Sequence, residues 1–176
     1  MKASETKLQP IIEGTKQYVV PLFQRPYSWT KKEWGILWDD IVELCETGGY
    51  RSHFIGSIVT MPTISVPEGV TKYLLIDGQQ RLTTIFILLA VLRDKAKQNG
   101  LQDLSEEINN TLLVNPYKRG LDYYKLQPTQ VDRYSFQKII TADPLSSDPL
   151  SSQNQILNAY QFFERKIRQT NIHIQT

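Results

Sequence analysis

The sequence predicts an α+β fold: a small sheet surrounded by helices, followed by a more helical C-terminal part. Three observations lead there. Short β-favouring runs alternate with helical patterns in the first half, at Gln17–Val20, Phe54–Met61 and Lys72–Ile76. One run, Ile85–Leu92, is apolar on nearly all sides and predicts a helix buried in the core. After Gly100 the apolar spacing is mostly helical. The chain has 176 residues, 40% hydrophobic and 22% charged, which suits one core better than two.

In chain order, Ser4–Glu13 predicts a short helix interrupted early by Pro10, and Gln17–Val20 a strand ended by Pro21. Thr30 and Glu33 have capping-box spacing, and Trp34, Leu37, Trp38, Ile41, Leu44 and Cys45 then recur on one helical face, with Gly48 and Gly49 as the stop. Phe54–Met61 and Lys72–Ile76 predict two strands of one sheet, and Gln80–Gln98 a helix that Gly100 terminates. Further on come a helix over Asp103–Val114, a short strand over Tyr123–Leu126 and a helix over Gln130–Ile140. "ADPLSSDPLSSQ" predicts a spacer. Ile156, Leu157, Tyr160, Phe163 and Ile167 mark a last amphipathic helix, and the abrupt "NIHIQT" after it gives the expectation of a piece of a longer protein. The expected organisation is a core over residues 1–141, a loop at 142–152, and the start of a helical region at 153–176.

Charge narrows function only weakly. Twenty Lys and Arg stand against eighteen Asp and Glu, a net of +2, so a basic site has to be local. The single Cys45 excludes an internal disulfide framework and a cysteine zinc cluster, which fits a reducing compartment, and the cytoplasm is the expected location. No apolar run approaches the length of a membrane span.

The chemistry concentrates in two polar islands. "LIDGQQRLTT" runs from a strand into the buried helix and holds Asp77, Gln79, Gln80, Arg81, Thr83 and Thr84 within eight residues. A helix start offers unpaired N–H groups and a partial positive charge, and beside Arg81 and the hydroxyls it forms a natural anion site with phosphate as the fitting occupant. Asp77 would hold Mg²⁺ or orient water, and a glutamine would position the nucleophile. In the bland alternative Asp77 only caps the helix and Gly78 only turns the chain. "VVPLFQRPYSW" forms the second island, again between strand and helix, with Gln24 and Arg25 side by side. Pro26 holds Arg25 extended, so its guanidinium can reach outward. Tyr27 is a candidate for stacking on a base, whereas Trp29 reads as a core anchor for the next helix. Two such islands predict one pocket.

Neither a Walker A loop nor a G-x-G-x-x-G motif occurs. His53 and His173 lack metal-ligand spacing, and His53 reads as structural. "NPYKRGLDYYKLQP" interleaves Lys118, Arg119 and Lys125 with tyrosines, a composition compatible with a nucleic-acid surface but read here as a solvated edge.

"YVVPLFQRPYSW", "HFIGSIV", "LIDGQQRLTT" and "YKLQPTQVDRYSF", in that order, resemble the N-terminal domain of GmrSD-type, modification-dependent (type IV) restriction endonucleases. The resemblance implies a ParB/sulfiredoxin-like core with a small mixed sheet. It also implies nucleoside triphosphate binding and hydrolysis coupled to cleavage of modified phage DNA. Carried over by position, the implied pocket is Gln24, Arg25, Asp77, Gly78, Gln79, Gln80 and Arg81, with Thr83 and Thr84 as further phosphate contacts. Asp77, Gln79 and Gln80 would act on the water or metal, and the others would bind the nucleotide. A downstream or separate HNH-type nuclease domain would cut, since this chain has no such motif. The competing reading is a ParB-like module that binds DNA or a modified base without turnover. The identity of the nucleotide and the oligomeric state, homo-oligomer included, stay open.

Overall fold

Strand β1 (Lys16–Val19) is an interior strand of the sheet, paired in parallel along both its edges. The computed structural model describes residues 7–47, 53–63, 69–142 and 154–170. Among them are a short helix α1 (Leu8–Ile12), α2 (Lys31–Glu46), β2 (Val59–Pro62), β3 (Thr71–Asp77), α3 (Gln79–Gln98), α4 (Gln102–Glu107), β4 (Leu126–Gln127), α5 (Gln130–Thr141) and α6 (Gln155–Gln169). The sheet order is β2-β3-β1-β4. Strand β3 is parallel to β1 in the register Tyr18↔Tyr73, β4 is parallel with Tyr18↔Leu126, and β2 is antiparallel to β3. The architecture is therefore α+β with a four-stranded mixed sheet. Val20 still donates to Gln127 O at 2.9 Å, but Pro21 has no N–H to continue the ladder and the chain leaves the sheet there.

Helix α2 starts as its capping box dictates: the Thr30 backbone N–H donates to Glu33 Oε2 at 2.8 Å. Trp34, Leu37 and Trp38 point into the core, while Cys45, placed on that face by its spacing, is exposed. The Gly48–Gly49 stop lies outside the described residues. Helix α3 is the axis of the core, with every residue from Leu82 to Leu88 buried. Leu75, Ile85 and Leu88 are buried as their spacing predicts, whereas Leu89 and Leu92 are half-buried. Ile76 is 39% exposed, because alternation along β3 turns it away from Leu75.

Two expected strands are corrected. Only Val59–Pro62 of the Phe54–Met61 run pairs with β3; residues 54–58 form an irregular segment whose backbone turns toward the start of α3. Tyr123 belongs to a 3-10 turn over Gly120–Tyr123, Tyr124 makes only an isolated antiparallel bridge with Val114, and the strand itself begins at Leu126. The expected helix over Asp103–Val114 is present but widens into a π-helical segment over Ile108–Leu113. Lys125, considered for a nucleic-acid surface, is buried and donates to Ile12 O, Gly14 O and Thr111 O at 3.0, 2.9 and 2.6 Å. His53 Nε2 lies 3.0 Å from Asp40 Oδ2, tying the irregular segment to α2. His173 and most of the serine-rich spacer lie outside the described residues.

Helix α6 packs its buried stripe of Ile156, Leu157, Phe163 and Ile167 into the same hydrophobic cluster as α2, α3 and α5. Its N-cap is Asn154, whose Oδ1 accepts from Ile156 N at 3.0 Å. Arg93 of α3 ends the neighbouring helix α5, donating through Nη2 to Ile139 O at 2.8 Å. No helix among the described residues is long and apolar enough to cross a membrane.

Candidate functional site

Three glutamines fasten the loop after β1 onto the junction of β3 and α3. Gln24 Nε2 donates to Leu75 O at 2.9 Å and to Ile76 O at 2.8 Å. Gln79 Nε2 donates to Arg25 O at 3.0 Å. Gln80 uses both ends of its amide: Oε1 accepts from Ser28 N at 2.8 Å, and Nε2 donates to Pro26 O at 3.2 Å. These bonds give the irregular loop the backbone partners that a sheet would otherwise supply. They also bring the two polar islands together. Gln24, Arg25, Trp29, Asp77, Gly78, Gln79, Gln80 and Arg81 line one cleft of about 340 Å³.

The floor of the cleft is the start of α3. Its N-cap is Gly78, in the left-handed region at φ 91°, and no side chain caps the helix. Capping by Asp77 is thereby excluded, and the N–H groups of the first turn are left open beside the cleft. A side chain at Gly78 would meet Ser57 O at 3.0 Å and Ile58 Cγ1 at 3.1 Å, so glycine is needed both for its φ and for the close approach of the 54–58 segment.

Arg81 is held from that same segment. Its Nη2 donates to Ser57 O and lies 3.4 Å from Asp77 Oδ2, and Ser57 Oγ donates to the same Oδ2 at 3.3 Å. Gly56, at φ 96°, packs flat on the guanidinium: an added Cβ would sit 3.0 Å from Nε and 3.1 Å from Cζ. Asp77 nevertheless keeps 60% of its side chain exposed, so the contact with Arg81 positions more than it stabilises. Arg25 is exposed, and its guanidinium has no hydrogen-bond or ion-pair partner among the described residues. The cleft therefore offers an anchored cation, a free cation, open amides and one carboxylate.

Three expected ligand contacts lie elsewhere. Tyr27, the candidate base-stacker, is only 6% exposed. Its hydroxyl shares a 2.6 Å hydrogen bond with Thr84 Oγ1 and accepts from Trp34 Nε1 at 2.7 Å, while its N–H donates to Asp132 Oδ2 at 2.7 Å. Burial pushes its phenol pKa well above the usual tyrosine value. Thr84 is fully buried and donates back to Gln80 O at 2.7 Å; Thr83 is 3% exposed. Both hydroxyls face the core because i+3 and i+4 from Gln80 is the packed side of α3. The aromatic side chain at the cleft is Trp29, which is half-buried and lines its wall.

Sequence reasoning missed Gly56, Ser57 and Asp132. A Gly-Ser pair inside a β-rich run does signal a bulge or a close backbone approach. Asp132 had a weaker signal, three residues after Thr129, and Thr129 Oγ1 donates to its Oδ2 at 2.6 Å.

The family model for the GmrSD restriction endonuclease, N-terminal domain, matches residues 8–176. The chain belongs to this family. It is part of a restriction endonuclease system. No curated protein matches the chain.

Proposed function

We propose that the cleft of this GmrSD N-terminal domain binds a nucleoside triphosphate and hydrolyses it, and that the bound nucleotide regulates DNA restriction. The observation that carries this reading is the uncapped start of α3 facing the partnerless Arg25 across the cleft. Open first-turn amides and two guanidinium groups supply donors for several phosphate oxygens, and a polar cleft of about 340 Å³ has room for a nucleotide's polyphosphate end.

In this reading Arg25 and Arg81 bind the phosphates, and Trp29 forms a wall on which the base can stack. The amide of Gln80 is engaged at both ends, so it shapes the loop and does not position water. Gln79 likewise fixes Arg25 through Arg25 O, which leaves Asp77 as the group that meets the nucleophile. Its carboxylate accepts a proton from the attacking water as the water oxygen bonds to the γ-phosphorus. The bond from that phosphorus to the β-bridging oxygen breaks, and the arginines stabilise the charge left on the diphosphate. Mg²⁺ would be held by Asp77, the one carboxylate lining the cleft, and would neutralise phosphate charge; with the ion bound, Asp77 would orient the water and not take its proton. Cleavage of DNA, with modified phage DNA as the substrate class, is assigned to an HNH-type nuclease domain acting with this one.

Phosphate release from each nucleoside triphosphate, with and without Mg²⁺ and DNA, tests the proposal. Turnover lost in Asp77→Ala is the expected result. Nucleotide binding without turnover in every condition would return the cleft to a recognition module, and no nucleotide binding would refute the triphosphatase reading.

A further inference from the structure

A second groove lies between the start of α2 and the polar face of α6. It measures about 390 Å³, and Lys31, Trp34, Gln155, Asn158, Gln161 and Arg165 line it. Trp34 is its floor, with Nε1 already bound to Tyr27 and the ring packed on Phe162 at 5.6 Å. What faces outward is amide and cation. Gln155, Asn158, Gln161 and Arg165 recur along one stripe of α6, opposite the apolar stripe that fills the core.

Lys31 and Arg165 make the lining of this groove cationic, with Glu33 held on Thr30 at its rim. No carboxylate lines it among the described residues. Of the nearby acids, Glu33 accepts from Thr30 N and Thr30 Oγ1 at the groove's rim at 2.8 Å each, and Glu164 pairs with Arg168 at 3.1 Å. Lys31 has no ion-pair partner among the described residues, and Arg165 bonds Gln161 O through Nε, so its two terminal nitrogens face outward. Lys32 flanks the groove in sequence. In a chain with a net charge of only +2, this is a local basic site.

We infer that the α2–α6 groove holds the phosphodiester backbone of DNA, with Lys31 and Arg165 on phosphate oxygens and the three amides donating along the strand. Cations beside neutral amide donors are the usual set for backbone contacts, which hold a duplex in position without reading its sequence. A restriction system needs such a hold on its DNA. The inference is independent of nucleotide binding at the other cleft.

The test is fluorescence anisotropy of a labelled short duplex, titrated at several salt concentrations. Lys31→Ala/Arg165→Ala should weaken binding and lower the slope of log affinity against log salt by about 2, close to 1 for each lost phosphate contact. The control Lys97→Ala/Arg119→Ala removes the same charge from exposed positions elsewhere and should leave that slope unchanged. Nucleotide titrations and melting curves of the groove variant should match wild type, which separates this result from a failure of the cleft. Wild type that ignores the duplex, an unchanged slope in the groove variant, or equal losses in both double variants would overturn the inference. Tighter binding of poly-glutamate than of the duplex at equal charge and salt would also overturn it, in favour of an acidic protein partner.

Discussion

Replacing Tyr27 by phenylalanine separates a core role from a ligand role for that residue. The substitution deletes one hydroxyl and keeps the ring. Two bonds disappear, at 2.6 Å to Thr84 Oγ1 and at 2.7 Å from Trp34 Nε1. Thr84 keeps an acceptor, since its Oγ1 still reaches Gln80 O at 2.7 Å. Trp34 does not. Its indole N–H, on a side chain only 2% exposed, is left buried and unpaired, at a cost of about 1–3 kcal/mol. For a chain of this size that corresponds to a fall in Tm of roughly 2–12 °C. Thermal unfolding followed by circular dichroism measures it. Trp34→Phe in the same background removes the orphaned donor, so the double variant should lose less stability than the two single losses combined. Nucleotide affinity should stay at the wild-type value. An unchanged Tm with weakened nucleotide binding would show Tyr27 to be a ligand contact and refute the reasoning.

Gly56→Ala forces a side chain into φ 96° and against the Arg81 guanidinium at 3.0 Å, so it should destabilise by about 1–2 kcal/mol and weaken nucleotide binding as Arg81 shifts; a melting curve and a titration on one sample check both effects. Leu88→Ala, on the buried side of α3, should lose about 2–5 kcal/mol in urea unfolding, and a wild-type midpoint would contradict its core position. Burial, reinforced by Lys16, pushes the Lys125 pKa down to about 8, while the unfolded chain holds that proton until about 10.4. Between these values the unfolded state binds more protons, so the lysine's contribution to stability rises with pH and is smallest below about pH 8. Compared at each pH with Lys125→Met, wild type should therefore gain stability as the pH is raised through that window.

How much of this could be read from the sequence depended on the range of the interactions. The capping box at Thr30 and Glu33, the buried helix over Gln80–Gln98 and the amphipathic stripe of α6 are local patterns, and they appear where their spacing puts them. The parallel pairing of β1 with both β3 and β4 is non-local, and nothing in four residues encodes it. Residues 54–58 were misread for a related reason. Their composition favours a strand, but Ser57 O is taken by Arg81 and Gly56 has to lie flat on the guanidinium, so tertiary contacts override propensity. The two islands were legible as a pair because both put Gln beside Arg between a strand and a helix. Which side chains bind and which fasten was not legible. Gln24, Gln79 and Gln80 carry the same amide as any ligand-binding glutamine, and only the carbonyls of Leu75, Ile76, Arg25 and Pro26 show that they hold the loop.

Arg25 offers the cleanest test of the cleft, because among the described residues no internal contact depends on its guanidinium. Arg81 is less informative, since losing it also frees Ser57 O and Asp77. Calorimetric titration of nucleoside triphosphates with Mg²⁺ into wild type and Arg25→Ala should show saturable binding to wild type. The variant should bind more weakly by about 1.5–3 kcal/mol, the range for hydrogen bonds to charged groups, with an unaltered melting temperature. Equal affinities, or a wild-type protein silent toward every nucleotide, would contradict nucleotide binding at this cleft.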